Sequence, residues 1–312
     1  MLENEDSPRE IHPILMLLFV LLTVVGGFVI IGPLLGILFS LPFFDGGLLD
    51  LAESLQAPLA HPELEVPLYI MQTSATLIGL IVGPAILLWT YRRSTLSFFQ
   101  FRSIDQRSLM LVPVLMLFFM GFMSIFIEWN ANLHFPEALK GFEEWARENE
   151  DARTDLTKML TTFDSVGELL VALVVIAILP AIGEELVFRG LIQGELYKAS
   201  KNPHVAIWVA TFLFSAFHVQ FFGFVPRLLL GALFGYLYYW SGNLSIAVLG
   251  HFINNGLAVT GLYFYQRGAI EYNLEETEAL PWGAIVICAA ATAVILYYFK
   301  KNYQPLHAAP LS

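Results

Sequence analysis

Long, almost purely apolar stretches separated by short polar segments run along the whole chain, without the period-two alternation of half-buried strands. Eight apolar runs stand out, at roughly 13–40, 67–91, 108–129, 166–190, 204–222, 227–241, 244–265 and 281–299. Most approach or exceed the roughly 20 residues a helix needs to cross a bilayer, and the sixth is the shortest. The pattern predicts an all-α, polytopic membrane protein with about eight transmembrane helices. Two connections carry structure of their own. Residues 45–67 mix Leu49, Leu51 and Leu55 with acids and suit the membrane interface. The polar stretch from about 136 to 160, with Leu139, Phe142, Trp145, Leu156 and Met159 spread through it, predicts a solvated or interfacial helix. The organisation that follows is an N-terminal region of three spans (1–130), an acidic loop (131–165), a core of four spans (166–265) and a C-terminal loop with the last span (266–312).

Composition agrees with the pattern. The 312 residues are 57% hydrophobic and 14% charged. The formal net charge of −11, without any basic stripe, excludes nucleic acid as a partner. A single cysteine, Cys288, rules out an intrachain disulfide or a cysteine metal cage and reads as packing. Glu3, Glu5, Asp6 and Glu10 against Arg9 have the wrong sign for a secretory leader, so no cleavable signal is expected. Arg92, Arg93, Arg102 and Arg107 put the loop after the second span in the cytoplasm, with Lys198, Lys201, Lys300 and Lys301 on the same side. Glu143, Glu144, Glu148, Glu150 and Asp151 fall on the other side, diluted by Lys140, Arg147, Arg153 and Lys158. Both termini are then cytoplasmic, in a plasma or inner membrane.

Charge inside the apolar runs is the candidate chemistry, because an intramembrane ionisable group is costly. The fourth run ends in Gly183-Glu184-Glu185-Leu186-Val187-Phe188-Arg189-Gly190. On a helix Glu185 and Arg189 share a face as an acid-before-base pair, and Glu184 points about 100° away, left over. The fifth run carries Phe214 and His218, and the seventh His251 and Asn255, again one turn apart. Counting 1.5 Å per residue from the turn near 200–203 puts Glu184 at about 21 Å and His218 at about 22 Å, level on antiparallel helices. His251 lies only about 12 Å from Asn243, so the turn before the seventh helix has to be recessed.

A carboxylate, two imidazoles and an amide around one semi-dry cavity suit amide hydrolysis without a covalent intermediate. The carboxylate takes a proton from water, an imidazole orients that water, and the other imidazole and the amide serve a developing oxyanion. Ser215, close to His218, is a weak nucleophile candidate. Glu184, His218 and His251 could instead be ligands of a catalytic zinc, although the His-Glu-x-x-His spacing is missing. A non-enzymatic immunity or scaffold protein, or a proton-relay transporter, are further alternatives.

Glu-Glu-x-x-x-Arg, Phe-x-x-x-His and His-x-x-x-Asn, intact at Glu184/Glu185/Arg189, Phe214/His218 and His251/Asn255, resemble the motifs of the CAAX prenyl endopeptidase and bacteriocin-processing (CPBP, or Abi) family of intramembrane glutamic proteases. The likeness covers about residues 160–265. It implies Glu184 as general base, His218 as helper in activating water and His251 with Asn255 as oxyanion site. Glu185 and Arg189 would be a supporting pair and Phe214 a packing residue. It also implies a membrane-anchored peptide or protein substrate and no cofactor. Asn254 is the competing amide, off the His251 face.

Overall fold

The computed structural model describes residues 11–91, 100–271 and 278–303. The N-terminal charges up to Glu10, and Arg92 and Arg93, lie outside the described residues. Ten helices of seven residues or more organise the described chain: α1 Pro13–Phe43, α2 Leu48–Ser54, α3 Pro62–Thr90, α4 Gln106–Ala131, α5 Lys140–Leu160, α6 Val166–Ser200, α7 Pro203–Phe217, α8 Phe224–Ser241, α9 Leu244–Gln266 and α10 Trp282–Asn302. No strand occurs among the described residues. This is a polytopic helical integral membrane protein. All eight apolar runs are helical, but six helices are long and apolar enough to cross a bilayer: α1, α3, α4, α6, α9 and α10. The other two are short. α7 has 15 residues, and α8 carries Arg227, Tyr236, Tyr238 and Tyr239 within its 18.

The fifth run ends earlier than its apolarity suggests. α7 stops at Phe217, His218 is its C-cap, and Val219 takes a left-handed φ of +51°. For a β-branched residue that conformation is a genuine outlier, and it turns the chain sharply into the loop before α8.

Three prolines shape the long helices. Pro33, Pro84 and Pro180 each follow a π-helical stretch, Gly26–Ile31, Leu77–Val82 and Leu173–Ile178. The N–H just before each proline bonds five residues back: Gly32 to Gly27, Gly83 to Ile78 and Leu179 to Val174. Proline lacks the N–H of the regular ladder, and the wider register absorbs the break. α1 and α3 pack through their π segments almost backbone to backbone. A Cβ on Gly27 would lie 2.7 Å from the Gly79 Cα.

The main core draws on eight helices, including Val20 of α1, Leu80 of α3, Leu115 of α4, Phe188 of α6, Phe214 of α7, Phe234 of α8, Ala247 of α9 and Phe299 of α10. Burying such a side chain stabilises a fold by about 1.5–3 kcal/mol in water. Inside a bilayer, packing and polar contacts carry more of the load. Cys288 packs on α4, its Sγ 2.7 Å from where a Gly121 Cβ would be. The turn before α9 is held against the segment that precedes α4. Asn243 is buried, its Nδ2 donating to Ser103 O and its Oδ1 accepting from Arg102 N–H. α5 spans the connection between α4 and α6. Its C-terminal end is held where Tyr69 Oη donates to Leu160 O at 2.6 Å.

Candidate functional site

The Glu-Glu-x-x-x-Arg segment lies in a second π-helical stretch of α6, Glu185–Gln193. Such bulges often mark functional sites. Glu185 and Arg189 are wholly buried, at 0% and 1% exposure, so they do not meet headgroups or water. Arg189 Nη1 donates to Glu185 Oε1 at 2.7 Å, and its Nη2 to Gly231 O at 2.8 Å. The guanidinium lies between the rings of Phe214 and Phe234, 4.5 and 5.5 Å from their centroids. Gly231 leaves little room there, since a Cβ would lie 3.1 Å from Arg189 Nη2 and 3.0 Å from the Phe214 ring, and both would have to give way. A buried charge needs such pairing, since desolvation otherwise costs several kcal/mol per ion; both contacts to Glu185 fall on Oε1, and its Oε2 bonds to no described residue.

Glu185 Oε1 also faces His251 Nδ1 at 2.8 Å. A carboxylate accepts only, so Nδ1 carries the proton and His251 presents Nε2 as an acceptor. The ring is stacked on Phe234, centroids 5.2 Å apart. His218 is set in the same way: its Nδ1 donates to Phe214 O at 2.9 Å, leaving Nε2 free. Both Nε2 atoms converge on Glu184 Oε2, His251 at 3.8 Å and His218 at 4.0 Å. That oxygen is buried and bonds to no described residue. The separations are too long for direct hydrogen bonds and fit a water that donates to Glu184 Oε2 and to one of the two Nε2 atoms.

The structure thus brings Glu184, Glu185, Arg189, Phe214, His218 and His251 into one cluster. Asn255 stands at its edge. Its Nδ2 donates to Ile176 O at 3.2 Å, the carbonyl whose regular partner would be the N–H that Pro180 lacks. Its Oδ1 accepts from Asn254 Nδ2 at 3.1 Å, so the two amides act in series. Ser215 Oγ is committed to Phe224 O at 2.7 Å. Phe214 contributes more than packing, because its carbonyl fixes the His218 tautomer. Phe234 and Gly231 escaped sequence reasoning; in an isolated sequence both look like ordinary core. For zinc the donor chemistry is suitable, but among the described residues no group of three or more His, Cys, Asp and Glu is spaced to hold a metal ion.

Two cavities meet at Ile127, Pro226 and Arg227, and none of the cluster's own residues lines either. One, of about 750 Å³, is mainly apolar and runs between α4, α8 and α9 past Met123, Leu230 and Leu257. The other, of about 680 Å³, is polar and opens beneath α5 at Arg147, Glu150 and Asp151.

A helical membrane bundle that buries a glutamate against two histidines defines the class of protein at hand. Residues 166–257, which hold all of these motifs, match the type II CAAX prenyl endopeptidase Rce1-like family, so this segment of the chain is similar to that family. The chain is also similar to the uncharacterized protein YpbD of Bacillus subtilis (strain 168), 29% identical over 85 residues. That similarity covers 26% of this chain and 40% of the relative. No solved structure gives a significant match.

Proposed function

We propose that the protein is an intramembrane endopeptidase that hydrolyses a peptide bond in a membrane-anchored peptide or protein, with Glu184 as general base. The observation that carries this is the convergence of two acceptor imidazole nitrogens on the unbonded Glu184 Oε2, 3.8 and 4.0 Å away. A water held there donates one proton toward Glu184 and the other toward His218 Nε2, leaving a lone pair of its oxygen for the scissile carbonyl. As the C–O bond forms, Glu184 takes the proton and the carbonyl π electrons move to oxygen. Passed on to His251 Nε2, that proton makes an N–H donor to the oxyanion, and as the carbonyl re-forms and the C–N bond breaks it leaves on the departing amine. His251 serves the oxyanion, with Asn255 through the amide N–H that Ile176 O leaves free. Glu185 and Arg189 hold His251 and keep its proton on Nδ1.

The test is cleavage of a quenched library of lipid-anchored peptides by the purified protein and by Glu184→Gln. The variant should lose at least 10²–10⁴-fold in kcat, the usual contribution of a general base, while its thermal stability is unchanged or higher. Undiminished cleavage would overturn the assignment. Metal analysis of the same preparations tests zinc, since activity that tracks bound metal makes Glu184 a ligand. A cellular phenotype that survives Glu184→Gln would favour a scaffold.

A further inference from the structure

The loop that follows His218 has no regular secondary structure, yet four of its backbone groups are held by side chains from three helices. Asn149 of α5 donates through Nδ2 to Val219 O at 2.7 Å. Arg227 of α8 donates through Nη2 to Gln220 O at 2.7 Å. Asn130 of α4 bridges the loop, its Nδ2 donating to Phe221 O at 3.1 Å and its Oδ1 accepting from Val225 N–H at 2.8 Å. Glu150 of α5 accepts the Phe222 N–H with both carboxylate oxygens, at 3.1 and 3.2 Å. Aromatic contacts reinforce the grip of α5: Phe221 meets Phe142 and Trp145 at centroid distances of 4.8 and 5.9 Å, and Arg147 covers the Phe222 ring at 3.9 Å.

We propose that α5 is a positioning strap for the reaction, with Asn149 and Glu150 fixing the His218 imidazole by holding the chain immediately after it in its left-handed turn. The step from loop to ring is short. Val219 adopts φ +51°, which a β-branched residue keeps only where its surroundings impose it. Its carbonyl is the atom Asn149 holds. If Val219 relaxes, the C-cap of α7 relaxes with it, and His218 leaves the register in which Nδ1 reaches Phe214 O and Nε2 faces Glu184. The polar connection between α4 and α6 thus becomes part of the machinery, although it lies outside residues 166–257 that match the family. The proposal rests on the role given to His218 above.

The two residues hold the loop by opposite chemistry, and this separates a specific role from general destabilisation. Asn149 is needed as a donor, so Asn149→Asp removes the bond and places a carboxylate against a carbonyl. Glu150 is needed as an acceptor, so Glu150→Gln keeps an oxygen for Phe222 N–H, whereas Glu150→Ala keeps nothing. In full-length protein in nanodiscs, Asn149→Asp and Glu150→Ala should each lower kcat about tenfold or more, the scale of one lost positioning hydrogen bond, with KM within about twofold. Glu150→Gln should behave as wild type. Imidazole ¹⁵N resonances, with His218 assigned through His218→Gln, should shift in the two damaging variants and stay in place in Glu150→Gln. This readout needs no substrate, so it decides the positioning role even if no peptide is cleaved. His218 resonances unmoved in both Asn149→Asp and Glu150→Ala would overturn the proposal, as would Glu150→Gln proving as damaging as Glu150→Ala. Should Asn149→Asp fail to fold, Asn149→Ala, favourable in a helix, replaces it with the same expected shift.

Discussion

α1 and α3 meet across their backbones, whereas α6 and α9 meet across side chains, yet both contacts are built on the same interruption. In each of α1, α3 and α6 a proline follows a π-helical stretch. In the first pair, small residues bring the chains together until a single methyl group would be too much, as at Gly27 and Gly79. Between α6 and α9 the carbonyl of Ile176, deprived of its usual donor by Pro180, is met instead by the Asn255 amide. The same kind of backbone defect serves close packing in one pair and fixes a polar side chain beside the candidate site in the other. Backbone irregularity at membrane depth is tolerated only where its polar groups find partners.

The comparison breaks hardest at Arg189. Arg189→Met removes the partner of Glu185 and the donor to Gly231 O together, leaving a buried carboxylate with His251 alone. The expected loss is about 3–5 kcal/mol, the usual consequence of breaking a buried pair, measured by reversible unfolding in mixed micelles. Gly27→Leu attacks the dry contact and should lose about 1–3 kcal/mol by overpacking, or more, since the opposing atom is backbone that cannot rotate away. A loss below that of a surface substitution would show that α1 and α3 are not packed so tightly in the membrane.

Asn255 offers a sharper discrimination, because its bond has an identifiable cause. Asn255→Ala should lose about 1–3 kcal/mol by orphaning Ile176 O. In Pro180→Ala residue 180 regains its N–H, so the asparagine becomes partly redundant. The double variant should therefore be less destabilised than the sum of the singles, with a coupling of about 1 kcal/mol or more. Additive losses would mean that the bond does not answer the proline at all. A fall in kcat beyond the stability loss of Asn255→Ala would add the oxyanion role.

Much of this geometry was legible in the sequence. The i, i+4 spacing set Glu185 against Arg189 with Glu184 turned aside, and residue counting from one short turn brought Glu184 level with His218. Other features depended on partners that periodicity does not reveal. Nothing local marks Val219 for a left-handed turn, since β-branched residues avoid it; of the side chains that hold this loop, Asn130, Asn149 and Glu150 are distant in the chain and Arg227 alone is near. Phe234 and Gly231 acquire meaning only when α8 lies against Arg189. The destination of the Asn255 amide could be read only after α9 was seen beside Pro180. Positions within one helix were predictable, and contacts between helices had to be observed.

The smallest effect concerns the far end of the α5 strap, where the site can be approached without touching its chemistry. The Glu143 carboxyl is held down at about 2, first by the Phe135 N–H at 2.7 Å and then by Arg147, with His134 adding to it. A carboxylate depressed in the folded protein contributes stability that is complete above its ordinary value near 4.5 and is lost as pH falls from there toward 2. The N-terminal end of α5 should therefore loosen over that window while the buried bundle persists. Trp145, next to Phe142 and Phe221, reports it. Its fluorescence, isolated by subtracting a Trp145→Phe preparation, should change between about pH 4.5 and 2 in wild type. In Glu143→Gln, which cannot titrate, the change should be absent and the acid signal present already at neutral pH. If both proteins respond alike, Glu143 does not secure α5, and the strap depends on Asn149, Glu150 and the aromatic contacts alone.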